Sequence, residues 1–162
     1  IVQYCRKLFN TYDIIKYREK RVYMIEKARL EDCDEIYDLM CILENQKLDY
    51  DHFKQTYHQG INSNDVIYLV YRQDKILGFL SFQIHRYLHH NQDTGEIVEL
   101  VVLPESRGQR IGGQLLQAIE AKANELRLEQ IELSTSTYRK QAHHFYEQND
   151  YEMLHYNYTK NL

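Results

Sequence analysis

Three glycines and two arginines stand where an extended run gives way to a helical one, in Arg107-Gly108-Gln109-Arg110-Ile111-Gly112-Gly113. Gly108, Gly112 and Gly113 let the backbone approach a ligand closely, because no Cβ intervenes. The segment feeds the start of a helix, whose first N–H groups have no intrahelical acceptor. Those donors and the helix dipole favour an anion such as a diphosphate. Arg107 and Arg110 add positive charge beside it. A plain tight turn before a helix would use the same glycines, so the spacing has to be weighed. It matches neither G-x-x-x-x-G-K-[ST] nor the dinucleotide pattern G-x-G-x-x-G. The histidines carry a weaker signal. His85 and His89 are four apart, while His89/His90 and His143/His144 are adjacent. None forms H-E-x-x-H, and Cys5, Cys33 and Cys41 contain no C-x-x-C, so no metal site is expected.

The elements that must position the loop follow from periodicity. Met24 to Arg29 alternates like a strand. Asp32 reads as a helix N-cap with Glu35 as its capping-box partner, and Ile36, Leu39, Met40 and Leu43 repeat at helical spacing. A second helix is expected near Asp51 to Gln59. Asp65 to Tyr71 and Ile76 to Ile84 read as a hairpin around Gln73-Asp74-Lys75. Leu88 to Gly95 is a loop. Glu96 to Leu103 is the most strand-like run, and Pro104 ends it. A helix with Leu115, Leu116, Ile119, Ala123 and Leu126 on one face follows the glycine loop. Gln130 to Ser134 is a strand, Gln141 to Gln148 a helix, and Tyr151 to Tyr158 a final strand. The order β-α-α-β-β-β-α-β-α-β predicts an α/β chain with a mixed sheet covered by helices.

Composition narrows the function. The chain has 162 residues, 43% hydrophobic and 27% charged, with net charge −4. That is globular composition of single-domain length. A protein driven by phosphate neutralisation would be basic, so no nucleic-acid partner is expected. The apolar runs are too short to cross a membrane. With an odd cysteine count and no secretory apolar run, the cytoplasm is the expected compartment. Residues 1–23 are basic and begin with Ile, so they read as an N-terminal extension. The domain proper is expected to be 24–162.

The loop and the segment after it together resemble the GNAT family of N-acetyltransferases. The family loop, about [QR]-x-x-G-x-[GA] after a V-x-P strand end, is matched by Arg107 to Gly112 after Val102-Leu103-Pro104. Arg110 stands at the first motif glycine. The second signature, roughly N-x-x-A-x-x-x-Y-x-x-x-G-[FY], is matched by Arg139, Ala142, Tyr146, Asp150 and Tyr151. There Arg139 replaces Asn and Asp150 replaces Gly. The resemblance runs from Met24 to Leu162. Within the family it is strongest to the branch that acetylates aminoalkylphosphonates, through Leu88-His-His90, Gly95-Glu-Ile97, Glu132-Leu-Ser-Thr135 and Ala142-His143.

The resemblance implies acetyl-CoA as co-substrate, held by Val101, Val102 and Leu103, by Arg107 to Gly113, and by Arg139. It implies a primary amine as acceptor, attacking the thioester within a ternary complex. An alkylamine has a pKa near that of Lys, about 10, so a base must take its proton. Glu96 and Glu99 lie in the right strand. They are three apart and face opposite ways unless a bulge intervenes; Glu99 is the preferred base. Tyr146 would protonate the departing thiolate. Arg86, His89, His90 and Glu96 are candidates for acceptor binding. Dimers are common in the family, and no residue here decides the oligomeric state. The alternatives are another amine acceptor (a polyamine, an amino-sugar antibiotic or a protein amine) or a catalytically silent acyl-CoA-binding module.

Overall fold

A computed structural model describes residues 25–162; the reading of residues 1–23 lies outside them. Five strands form one sheet in sequential order: β1 (Ile25–Lys27), β2 (Val66–Arg72), β3 (Ile76–His85), β4 (Thr94–Val102) and β5 (Ile131–Leu133). The first four are antiparallel neighbours, and β5 lies parallel to β4. A parallel pair needs a crossover, which α3 (Ile111–Glu125) supplies. Helices α1 (Cys33–Glu44) and α2 (Tyr50–Ile61) join β1 to β2, and α4 (Lys140–Glu147) follows β5. The mixed sheet covered by helices is as predicted.

Each face of the sheet buries its own cluster. On one side Ile36, Leu39 and Met40 of α1 pack with Tyr57 of α2 against Val70, Phe79 and Val101. On the other, Ile111, Leu115, Leu116, Ile119 and Ala123 of α3 pack against Leu80, Phe82 and Ile97. Leu126, expected on that apolar face, is the helix C-cap and 42% exposed. The chain leaves the helix there, and Arg127 follows in the left-handed region at φ 58°.

Asp32 does stand at the N-cap of α1, but its side chain does not cap the helix. It accepts from the Arg29 N–H at 2.8 Å and from Arg72 Nη2 at 2.7 Å. A buried carboxylate needs a charged partner, and Arg72 supplies one. Glu35 is likewise drawn away from a capping box, accepting from the Ile76 N–H at 2.9 Å. The final strand over Tyr151 to Tyr158 does not form. Residues 151–162 carry no helix or strand, and Met153, Leu154, Tyr156 and Tyr158 are exposed. Alternating aromatic residues favour a strand only where a sheet edge accepts them, and β5 pairs over just three residues.

Candidate active site

The site grows out of an irregularity in β4. Ser81 of β3 pairs with Glu99, but the next residue, Phe82, pairs with Ile97. Val98 is therefore an extra residue on β4, a β-bulge, and it is half exposed. The extra residue reverses the alternation. Glu96 and Glu99 lie opposite Gln83 and Ser81, two apart on β3, and so they share one face. That face is the one covered by α1 and α2, since Phe79 and Val101 of the same row belong to their core.

Under α1 and α2 this face opens into a cavity of about 220 Å³, walled by Leu48, Phe53, Tyr57, Tyr68 and Phe79, with Glu44 and Glu99 as its carboxylates. The Tyr57 and Tyr68 rings stack at 5.3 Å between centroids. The Tyr57 hydroxyl donates to the Arg29 carbonyl at 2.6 Å, which fixes the wall. Burial pushes the Glu99 carboxyl above the usual glutamate range, and Glu44 and Glu96 push it further by like-charge repulsion. The Ser81 hydroxyl donates to Glu99 and pulls the other way. Glu96 meets His85 Nε2 at 2.9 Å on the same face.

The opposite edge of β4 has different chemistry. Its pairing with β5 covers only Gly95 to Ile97, while β4 runs on to Val102. β5 ends at Leu133, opposite Ile97, which leaves the backbone edge of β4 beyond it without a strand partner among the described residues. The Leu103 N–H donates to the Leu77 carbonyl at 2.9 Å. Antiparallel alternation then turns Val101, like Leu103, toward β3, and turns Leu100 and Val102 outward. Arg107 Nε reaches the Val102 carbonyl at 3.3 Å on that outer side. Of the residues expected to hold the cofactor, Val102 thus turns its backbone to this edge together with Leu100, while Val101 and Leu103 turn theirs to β3. Leu100 was not singled out from the sequence.

At the end of this edge lies the glycine loop. The first helical hydrogen bond of α3 runs from Gln114 N–H to the Arg110 carbonyl at 3.0 Å. The N–H groups of Ile111, Gly112 and Gly113 precede it and are the free donors of the first turn. A Cβ at Gly108 or Gly113 would meet nothing within 4 Å, and one at Gly112 would reach only van der Waals contact with Phe145 at 3.5 Å and Val102 at 3.7 Å. The bare glycine faces are therefore open to a ligand. Arg107, Gln109 and Arg110 are exposed around them, and the first turn carries no acid. This donor set fits the diphosphate of acetyl-CoA.

Both residues that depart from the motif glycines have left-handed backbones, Arg110 at φ 61° and Asp150 at φ 65°. Glycine is favoured in that region, so the backbone keeps the geometry although the residue has changed. Tyr146 lies on α4, edge-on to Phe145 and Tyr151. Burial pushes its phenol up, and the Arg139 charge pulls it back. Among the described residues no contact joins Tyr146 to Glu99. Arg139, just before α4, turns its guanidinium to the end of α1, donating to the Leu43 carbonyl and to Glu44, both at 3.1 Å.

The remaining candidates gather at the far end of β3. Arg86 forms a two-pronged pair with Asp65 at 2.8 and 2.9 Å and lies 3.5 Å from Asp93. Tyr87 stacks between His85 and His89, and His90 lies 3.4 Å from Glu129. No cluster of metal-binding side chains occurs among the described residues. None of the helices there is long and apolar enough to cross a membrane.

Comparison with known proteins bears on this arrangement. The acetyltransferase (GNAT) family model matches residues 23–151. The chain is 40% identical over 139 residues to the aminoalkylphosphonate N-acetyltransferase of Salmonella typhimurium, covering 85% of this chain and 90% of that one. Among solved structures, a transcriptional regulator from Bacillus halodurans superimposes with a TM-score of 0.78 at 20% identity, over 85% of this chain and 98% of its own. An aminoglycoside 6'-N-acetyltransferase from Acinetobacter baumannii does so at 0.72 and 18%, over 85% and 97%. The two structural likenesses speak for the fold.

Proposed function

We propose, from the premise that this chain belongs to the acetyltransferase (GNAT) family, that it acetylates the primary amine of a small aminoalkylphosphonate by direct attack in a ternary complex. The chain is an acetyl-CoA-dependent acyltransferase. The observation that carries the finer reading is the bulge at Val98. It brings Glu96, with His85, onto the cavity face that Glu99 already shares with Val101, while the free edge of β4 and the start of α3 lie to the other side.

Acetyl-CoA, when bound, supplies the activated acetyl group. The free N–H groups of α3 with Arg107, Gly108, Gln109, Arg110, Gly112 and Gly113 hold its diphosphate. The outward backbone of Val102 and Leu100 holds its arm, with Ile111 anchoring the loop in the core. An alkylammonium with a pKa near 10 cannot attack until it loses its proton. Glu99, raised by burial, is matched to take it. Glu96 with His85 lies beside it on the same face, a route by which the proton reaches solvent. Tyr146 is the acid that protonates the departing thiolate. The phosphonate is assigned to the loop after β3, where His89 and His90 stand with Arg86, whose present partners are Asp65 and Asp93.

One observation favours a second reading. The cavity pairs an aromatic wall with two carboxylates, Glu44 and Glu99, which suits an acceptor with a second ammonium, such as a polyamine. Thiol release from acetyl-CoA separates the two. With 2-aminoethylphosphonate, ethylamine and a diamine as acceptors, the proposal predicts turnover with the phosphonate at least about tenfold above ethylamine, one charge-assisted contact being worth that much. Preference for the diamine would transfer the assignment to the polyamine reading.

A further inference from the structure

The contact between Arg139 and Glu44 joins residues 95 apart in sequence. Glu44 ends α1 and lines the same cavity as Glu99. Arg139 immediately precedes α4, the helix that carries Tyr146. The guanidinium is doubly attracted to α1, by the Glu44 carboxylate and by the Leu43 carbonyl at the negative end of the helix. Neither side chain is fully exposed, at 28% for Arg139 and 45% for Glu44.

We propose that the Arg139–Glu44 ion pair, which ties the cavity-lining end of α1 to the start of α4, is a positioning device that couples the base Glu99 to the acid Tyr146. The proposal rests on the reading of those two groups given above. The two charges act in opposite senses on the two partners. Glu44 lines the cavity with Glu99 and raises its carboxyl, and Arg139, at the start of the helix that carries Tyr146, lowers its phenol. Pairing also mutes each charge, so the carboxylate that Glu99 feels is partly neutralised. The other groups facing Glu99 are Ser81, Glu96 and Tyr68, and Tyr151 is the other titratable group facing Tyr146. None of these touches the ion pair. A residue filling only a structural role here would tie α1 to α4 and leave both titrations alone.

The test is the pH dependence of kcat/KM in Glu44→Gln and Arg139→Gln, with thermal melting of each as a fold control. Removing the negative charge of Glu44 lowers the acid limb by roughly a few tenths of a pH unit, the size of a like-charge interaction at high dielectric. Removing Arg139 unmasks Glu44 and raises the acid limb, and it moves the basic limb up as Tyr146 loses its stabilising cation. Opposite displacement of the acid limb in the two variants is the expected result, with Arg139→Lys restoring the wild-type limbs. Equal or absent displacement, with loss of rate or melting temperature only, overturns the coupling. Glu99→Gln is measured alongside. If its acid limb disappears, the base reading stands and unmoved limbs in the pair variants count against the coupling alone. If its profile is unchanged, the base reading and the coupling fall together. If a pair variant does not fold, the reverse-charge swap Glu44→Arg with Arg139→Glu serves. It must displace the acid limb downward, and an unmoved limb overturns the coupling.

Discussion

Replacing Arg110 by glycine should separate the two demands placed on the diphosphate loop. Arg110 sits at φ 61° and ψ 17°, where a side chain costs about 1–2 kcal/mol. Glycine removes that cost and adds about 0.5–1 kcal/mol of backbone entropy to the unfolded chain. The guanidinium makes no hydrogen bond or ion pair among the described residues, so nothing else is lost from the fold. Arg110→Gly is therefore expected to gain about 0.5–1 kcal/mol, which raises Tm by roughly 1–4 °C in a domain of this size. The function moves the other way. A cation leaves the first turn of α3, and the KM for acetyl-CoA should rise about three- to tenfold, more so at low salt. Differential scanning fluorimetry and initial rates at two ionic strengths read both effects. A lower Tm with an unchanged KM would refute the strained-backbone account and the placing of the diphosphate.

Three further outcomes follow from contacts described above. Tyr146→Phe should lower kcat about a hundredfold with the KM for acetyl-CoA nearly unchanged, as steady-state kinetics would show. Gly95→Ala should destabilise the fold by about 2–3 kcal/mol in urea titrations, because a Cβ there would meet Phe82 Cζ at 2.0 Å and Phe82 is fully buried. Glu99→Gln should melt higher than the wild type at neutral pH. A carboxyl raised in the fold contributes stability below its ordinary range and loses it as pH climbs through the raised value, so the gap should close on acidification.

Much of the fold can be read from local pattern. The β4 run Glu96-Ile-Val-Glu-Leu-Val-Val102 and the α3 face of Leu115, Leu116 and Ile119 carry their periods within a few residues. The bulge at Val98 does not, because the register is settled by which β3 residue lies opposite. The sequence therefore offers Glu96 and Glu99 as residues on opposite faces, and pairing with Ser81 and Gln83 brings them together. Glu44 carries no local signal either. It is one acid at the end of a helix until α1 docks over the sheet. Asp32 misleads for the same reason, since Arg72, forty residues away, outcompetes the helix for its carboxylate. Tyr151 to Tyr158 has a strand's composition, but composition supplies no edge to pair with. The glycine loop was legible because strand end, loop and helix start are contiguous, and the positive φ at Arg110 explains why the usual residue there is glycine.

The central claim is that Glu99, set over the acceptor cavity by its pairing with Ser81 in the row of Val101, takes the proton from the acceptor amine. Its most direct test compares kcat/KM for 2-aminoethylphosphonate in the wild type and Glu99→Gln near pH 7 and again near pH 9.5, approaching the pKa of an alkylamine at about 10. The account predicts a loss of about 10²–10⁴ at neutral pH that narrows as the amine loses its own proton. A loss equal at both pH values, or no loss at either, would contradict it.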